Sequence, residues 1–140
     1  MILKDILAIG GYSGLYKFVS QSRNGIIVES LADKKRINAA ATAKISALSD
    51  IAIYTEEEEV PLSKVFDTIF AKEEGKATIS HKASANELKA FFEEVLPDFD
   101  KDRVYVSDIK KVVSWYNTLQ SLDMLIEGEE TVEEEKIEEA

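Results

Sequence analysis

Residues 14–31 of the chain read GLYKFVSQSRNGIIVESL, and this stretch predicts a β-hairpin. Its two arms, residues 15–19 and 26–31, are rich in the aromatic and β-branched side chains that favour strands. Between the arms, Asn24 and Gly25 form a dipeptide that is typical of two-residue hairpin turns. We therefore expect two antiparallel strands joined by a turn at Asn24-Gly25.

Shorter segments on both sides of this hairpin extend the β pattern. Residues 32–35 indicate a second turn that leads into a strand near residues 36–38, and residues 51–55 indicate a further strand. Residues 2–9 fit either a helical turn or a first strand, and residues 39–50 are ambiguous because only their alanines favour helix. Four or five short strands predict a small, curled antiparallel sheet of the SH3-like or Sm-like kind.

The second half of the chain has the apolar spacing of helices. Pro61 suits a first helical turn, Gly75 suits a left-handed helix end, and Ser84 with Glu87 forms a capping box. Ser107 is the predicted cap of a last helix. The predicted apolar faces of the three helices consist of Leu62, Val65, Phe66, Ile69 and Phe70, of Leu88, Phe91, Phe92, Val95 and Leu96, and of Ile109, Val112, Val113, Tyr116 and Leu119.

These patterns predict an α+β protein in three parts. Residues 1–60 form a small SH3-like or Sm-like β-rich lobe, and residues 61–126 form a helical lobe with brief strands at 77–79 and 104–106. Residues 127–140 hold eight Glu and one Lys, a net charge of −7 within a total of −10. Because this segment has little apolar surface, we predict a disordered acidic tail. The tail would serve solubility, mimic nucleic acid in cis, or bind a basic partner.

Composition excludes several classes of protein. The chain has no cysteine, which excludes disulfides, thiolate nucleophiles and cysteine-based metal sites. No apolar run approaches the ~20 residues that a membrane span requires, and the N-terminus lacks the pattern of a secretory signal. We therefore expect a cytoplasmic protein with no membrane partner.

The sequence DFDKD at residues 98–102 is the strongest chemical motif, because it resembles the start of a calcium-binding loop. Such a loop requires glycine at its sixth position and a bidentate glutamate at its twelfth, where this chain has Arg103 and Ile109. Without the sharp bend and the last carboxylate, the cage around the ion stays open. We interpret the motif as a solvated turn.

No other group of residues indicates catalysis or cofactor binding. His81 is the only histidine, and it reads as a surface residue. The sequence GGYSG at residues 10–14 lacks the remaining residues of a phosphate-binding loop. Glu93 and Glu94 occupy successive helical positions, so their carboxylates point apart. We expect no catalytic residue, no metal ion, no cofactor and no enzymatic activity.

The N-terminal lobe also suggests nucleic-acid binding, because residues 1–55 hold seven Lys or Arg against four Asp or Glu. A small sheet with basic and aromatic side chains on one face neutralises phosphates and stacks bases. The aromatic residues Trp115 and Tyr116 belong either to the core or to an interface with a partner or a second copy. The candidate contact residues are Lys17, Arg23, Lys34, Lys35, Arg36, Trp115 and Tyr116, with Tyr12, Tyr16, Phe18 and Tyr54 among the strands.

Several short motifs form a distinctive combination over about residues 1–122. They are Gly14-Leu15-Tyr16-Lys17, Glu29-Ser30-Leu31, Ile53-Tyr54-Thr55 with Val60-Pro61-Leu62, Val95-Leu96-Pro97-Asp98, and Ile109-Lys110-Lys111 through Ser114-Trp115-Tyr116-Asn117. This combination resembles a bacterial family, known chiefly from the Bacteroidota, that is defined as a domain of unknown function. The resemblance implies a small β-rich domain joined to a helical domain in a cytosolic protein. It implies no established activity, cofactor or catalytic residue.

We interpret the chain as a cytoplasmic, non-enzymatic interaction protein that docks a macromolecular partner, most simply another protein. The alternative is an RNA- or DNA-binding module that uses the basic N-terminal lobe and is modulated by the acidic tail. The first interpretation is favoured because the excess of three positive charges over residues 1–55 is small for a dedicated nucleic-acid binder.

Overall fold

The N-terminal part of the chain forms a five-stranded antiparallel sheet in a computed structural model of the protein. The residues that the structure describes are 3, 5–10, 12, 14–40 and 42–125. The strands are β1 Ile6–Ile9, β2 Tyr16–Ser22, β3 Gly25–Ser30, β4 Arg36–Ala40 and β5 Ile45–Ala47. Their order across the sheet is β4-β3-β2-β1-β5. The first ambiguous segment therefore contains a strand, and the second contains the end of β4, all of β5 and a 3-10 helix at Leu48–Asp50.

The predicted hairpin is confirmed, but its turn lies one residue earlier than predicted. Ser22 pairs with Gly25, so the connecting residues are Arg23 and Asn24. Neither of these two residues has a positive φ. Gly25 instead permits close contact between strands, because a Cβ atom at this position would overlap the carbonyl oxygen of Ala39 on β4. The glycine is required by packing against β4 and not by the turn.

The sheet does not close into a barrel. β4 and β5 are its two edges, and no pairing between them occurs within the described residues. The predicted SH3-like or Sm-like barrel is thus corrected to an open sheet. β5 has three residues, all of which pair with β1, and the 3-10 helix follows it directly. One face of the sheet buries Leu7, Ile9, Val28 and Ala39.

A short hairpin and three helices follow the sheet. The hairpin consists of β6 Ala52–Tyr54 and β7 Glu59–Pro61, and the helices are α1 Leu62–Lys72, α2 Ala85–Val95 and α3 Val106–Ser121. These elements confirm the predicted α+β class. The predicted cap of the last helix at Ser107 is wrong, because α3 begins at Val106 and its N-cap is Tyr105. The N–H of Tyr105 donates to Oδ2 of Asp108 over 3.0 Å and so caps this earlier start.

Two local signals at helix ends are confirmed. The N–H of Glu87 donates to Oγ of Ser84 over 3.2 Å, and the N–H of Ser84 donates to Oε1 of Glu87 over 3.4 Å. This reciprocal pair satisfies main-chain donors that the first turn of a helix leaves free. Gly75 has φ +80°, and its N–H donates to the carbonyl oxygen of Phe70 over 3.0 Å. Glu74 also has a positive φ of +55°, so helix α1 ends in two left-handed residues, of which Gly75 is the second.

The two brief strands predicted in the helical lobe are not formed. Residues 77–79 belong to no strand, and residues 104 and 105 lead directly into α3, which begins at Val106. The side chain of Asn117 takes the place of a partner strand for the first segment. Its Oδ1 accepts from the N–H of Thr78 over 2.8 Å, and its Nδ2 donates to the carbonyl oxygen of Ile79 over 3.1 Å.

Replacing Asn117 by alanine is expected to lower the free energy of unfolding by about 2 kcal/mol, because the part-buried main chain of Thr78 and Ile79 loses its hydrogen-bond partner. Urea denaturation followed by circular dichroism measures this loss. The control is Asn86→Ala on the exposed surface of α2, which should change stability by about 0.5 kcal/mol or less. Equal losses in the two variants would contradict this role for Asn117.

One buried cluster connects the sheet to the helices. On the sheet side it contains Leu3, Ile6, Leu15, Leu31 and Leu48, all nearly or fully buried. Alternation along β1 explains how Ile6 reaches this cluster while Leu7 packs on the opposite face. On the helix side the cluster contains Leu62, Val65, Phe66, Ile69, Leu88, Phe91, Phe92, Val95, Ile109, Val112, Val113, Tyr116 and Leu119. The core therefore spans the predicted boundary at residue 60.

The predicted acidic tail at residues 127–140 lies outside the described residues. Within the part of the chain that is described, no helix has both the length and the apolar composition to cross a membrane. The longest of the three helices, α3, carries polar and charged residues along one side and packs its other side into the core.

Candidate functional site

A groove lies between the sheet and α3. It consists of two adjoining clefts of about 260 and 450 Å³, which share the side chains of Ser46, Lys111 and Trp115. The smaller cleft extends toward β6 and includes Tyr54. The larger cleft extends toward the connection between β1 and β2 and includes Tyr12. We call this continuous surface the α3 groove.

Strand register and helical spacing bring the lining residues together. Ala8 on β1 and Ser46 on β5 are register partners, so their side chains point to the same face of the sheet. On α3, Lys111, Trp115 and Thr118 are spaced by four and three residues, which places them on one side of the helix. The groove stays open because the side chains of Ala8 and Ser46 are small.

The α3 groove offers positive charge and a free hydrogen-bond donor. Lys44 and Lys111 are exposed, and no carboxylate among the described residues lies within ion-pair distance of either ammonium group. Trp115 is partly buried against the core. Its indole N–H has no acceptor within the described chain and remains accessible to solvent. These groups suit a ligand that is rich in anionic acceptors and also has an apolar part.

A third cation lies at the β6 end of the groove. The N–H of Asp100 donates to the carbonyl oxygen of Tyr54 and the N–H of Glu56 donates to that of Asp98, each over 2.9 Å. These bonds hold the loop between α2 and α3 against β6. The guanidinium carbon of Arg103 consequently lies 4.3 Å from the centroid of the Tyr54 ring, which is a cation–π contact.

The acidic loop at residues 98–102 is organised around its own main chain and Arg103. The carboxylate of Asp100 accepts from the N–H of Asp102 over 2.9 Å and from Nε of Arg103 over 2.8 Å. The bond from the Arg103 side chain, followed by that from the Asp102 main chain, lowers the pKa of Asp100. Among the residues that the structure describes, no three His, Cys, Asp or Glu side chains are grouped to hold a metal ion.

The lowered pKa of Asp100 predicts a pH-dependent contribution to stability. The folded state favours the ionised carboxylate, so this contribution is present above the unfolded-state pKa of about 4 and is lost as pH falls through the folded-state value. We expect Asp100→Asn to destabilise the protein at neutral pH. The effect should be smaller near pH 2 to 3, which is about one to two units below the unfolded-state pKa. Urea denaturation at both pH values measures the difference.

The control for this experiment is Asp102→Asn, because the Asp102 side chain makes no hydrogen bond within the described residues. It should leave stability nearly unchanged at both pH values. An Asp100→Asn effect of the same size at neutral and acidic pH would contradict the prediction, since a neutral Asp100 would then contribute as much as the ionised one.

The basic residues predicted to bind nucleic acid do not form one surface. Arg23 lies at the turn between β2 and β3, whereas Lys34 and Lys35 lie at the turn between β3 and β4, at the opposite end of β3. Nε of Arg36 donates to Oε1 of Glu29 over 3.2 Å, which neutralises much of its charge. Lys17 is the register partner of the same Glu29. Four of the five exposed candidates, Lys17, Lys34, Lys35 and Arg36, therefore lie around Glu29 at one end of the sheet, and Arg23 lies at the other.

The aromatic candidates separate into groove and core residues. Tyr12 and Tyr54 are 45% and 39% exposed and border the α3 groove. Tyr116, predicted as a possible contact residue, has no exposed surface, so this prediction is corrected. Its hydroxyl donates to the carbonyl oxygen of Lys76 over 2.9 Å, and burial raises the pKa of this phenol. Trp115 differs because its side chain points about 100° away from that of Tyr116 around α3. It packs against the core and also lines the groove.

Sequence reasoning did not single out Lys44, Ser46 or Lys111. Lys44 and Ser46 lie in the segment whose secondary structure was ambiguous, so the sequence pattern did not indicate that they lie beside α3. Lys111 could have been found, because it precedes Trp115 by four residues on a predicted helix and therefore shares one side with it.

Comparisons with known proteins extend over both parts of the fold. Residues 3–48 match the family model described as Domain of unknown function (DUF5606), and residues 51–119 match the one described as Domain of unknown function (DUF6852). A protein of Bacteroides vulgatus, whose solution NMR structure was a structural genomics target, is 52% identical with a TM-score of 0.75. The match covers 88% of this chain and 89% of that one. No curated protein matches the chain. The chain belongs to the Bacteroidota family of unknown function that these two domains define.

Proposed function

We propose that the protein is a cytoplasmic, non-enzymatic interaction module that docks an acidic segment of a protein partner in the α3 groove. The observation that carries this proposal is the presence of two exposed lysines without acidic partners in the described chain, Lys44 and Lys111, around the accessible indole N–H of Trp115. Lysine ammonium groups and an indole N–H donate hydrogen bonds to carboxylates, and the indole ring provides an apolar contact.

A protein segment suits this surface better than nucleic acid does. Phosphate backbones are bound by several cations that follow one path, and affinity rises with the number of phosphates neutralised. In this protein Arg23 lies at the opposite end of β3 from the other basic candidates. Two of those, Lys17 and Arg36, flank the carboxylate of Glu29, with which Arg36 is paired. The groove instead combines a few charged side chains, Asp108 among them, with aromatic side chains of the kind enriched in protein–protein interfaces.

The test is affinity capture from native lysate with tagged full-length protein. Lys111→Glu reverses a charge in the groove, and Lys110→Glu makes the same change at the neighbouring exposed position outside it. We expect a protein that is retained by the wild type and by Lys110→Glu but lost with Lys111→Glu. Nuclease treatment should not change its retention. Lys44→Glu should reproduce the loss from the sheet side of the groove.

Three outcomes would contradict the proposal. Retention of the same protein by Lys111→Glu and Lys44→Glu would exclude the groove as the docking surface. The nucleic-acid alternative would be favoured if nuclease released the captured protein and if a variant with both Arg23→Glu and Lys35→Glu no longer retained it. Capture of only a second copy of the chain, with a dimer in analytical ultracentrifugation that Lys111→Glu dissociates, would assign the groove to self-association.

A further inference from the structure

The most acidic part of the chain follows directly after the helix that forms the α3 groove. The last described residue is Leu125, and residues 127–140 carry eight Glu against one Lys. Two large apolar residues, Val132 and Ile137, are placed among these glutamates. This segment therefore has the chemistry that the groove suits, namely clustered carboxylates with an occasional apolar side chain.

The geometry allows the segment to reach the groove. Lys111 lies ten residues before the end of α3 at Ser121, a distance of about 15 Å along a helix that rises ~1.5 Å per residue. A chain extends up to about 3.3 Å per residue, so the residues after Leu125 span this distance several times over. Thr118 and Ser114 line the path from the end of α3 to Lys111.

Tethering makes even a weak contact significant. Because the acidic segment and the groove belong to one chain, their effective concentration is on the order of millimolar. A bimolecular affinity in that range suffices for substantial occupancy. Opposite charges strengthen the contact at low salt, because neither Lys44 nor Lys111 forms an ion pair within the described residues, although Asp108 also lines the smaller cleft.

We infer that residues 127–140 bind in the α3 groove of their own chain and compete with the acidic segment of a partner. This inference rests on the proposed function, since it assigns a regulation to the same docking surface. Removal of the glutamate charges would then increase access to the groove without altering any residue that lines it.

The test uses full-length protein and one spin label. The chain has no cysteine, so Thr131→Cys provides a single attachment site within the acidic segment. The chain also has one tryptophan, so the indole N–H of Trp115 gives a single, unambiguous NMR signal. We expect the label to broaden this signal and the amide signals of Lys44 and Lys111. The matched control carries the same label and has all eight glutamates of residues 127–140 replaced by glutamine.

In the control, and in the wild type at high salt, the broadening should be lost. Broadening that persists equally in the glutamine variant would overturn the inference, because it would reflect only the nearness of the attachment point. Broadening seen only between a spin-labelled chain and a separate isotope-labelled chain would assign the contact to a second copy and would also overturn it. Partner capture with Lys111→Glu is an independent measurement. It tests the proposed function whether or not the acidic segment binds in the groove.

Discussion

Replacing Gly25 by alanine is expected to lower the free energy of unfolding by about 3 kcal/mol or more, although the substitution adds only one methyl group. The added Cβ would overlap the carbonyl oxygen of Ala39 and lie 2.9 Å from its carbonyl carbon. Both atoms belong to the main chain of β4, so no side-chain rotation relieves the clash. The strand itself must move, and pairing between β3 and β4 is weakened. Urea denaturation monitored by circular dichroism measures the loss.

The control for this variant is Gly10→Ala. A Cβ at Gly10 would make its nearest contact with Cβ of Lys44 at 3.4 Å, at the edge of ordinary packing distance, and Gly10 has no positive φ. We expect a change of about 1 kcal/mol or less. If Gly25→Ala were as well tolerated as Gly10→Ala, β4 would not approach β3 as closely as described, and the reason given for this glycine would fail.

Truncation of Phe66 to alanine is expected to cost about 3 to 5 kcal/mol and to loosen the sheet as well as the helices. Phe66 has no exposed surface, and its ring packs edge-on against Tyr116 with 5.8 Å between ring centroids. It belongs to the cluster that also contains Ile6 of β1 and Leu15. We therefore expect hydrogen exchange to accelerate at amides of β1 in addition to those of α1.

Phe18→Ala serves as the control, because Phe18 is 38% exposed and lies outside both buried clusters. Its effect on stability should be about 1 kcal/mol or less. The informative contrast is in hydrogen exchange. If Phe66→Ala destabilised the helices while β1 kept its wild-type protection, the sheet and the helices would unfold independently, and the shared core would contribute little to cooperativity.

The sequence predicted most elements whose signals are local. The capping box at Ser84 and the glycine cap at Gly75 depend on residues a few positions apart, and both are formed. The turn next to Gly25 was misplaced because the reason for that glycine is a contact with Ala39 on another strand. A dipeptide pattern carries no information about such an approach. The segment at residues 77–79 was misread as a strand for the same reason, since the hydrogen-bond partner of Thr78 is a side chain 39 residues away.

The α3 groove was beyond sequence reasoning because it exists only where distant elements meet. Ala8 and Ser46 are small residues with no individual signal, and their importance is that they leave space opposite Trp115. Trp115 was identified as a candidate, but the pattern did not separate it from Tyr116, which is buried. Adjacent helical residues differ by about 100° in direction, and the position of the sheet decides which of the two faces the core.

The buried cluster shared by Leu15, Leu48 and Phe66 has a consequence for how the two matched regions coexist. The family models divide the chain between residues 48 and 51, as if two modules had been joined there. Each module, produced alone, would expose to water the apolar face that the other covers, and such faces drive aggregation or recruitment of a substitute. We accordingly expect a fragment ending near residue 50 to be insoluble unless the complementary fragment is supplied.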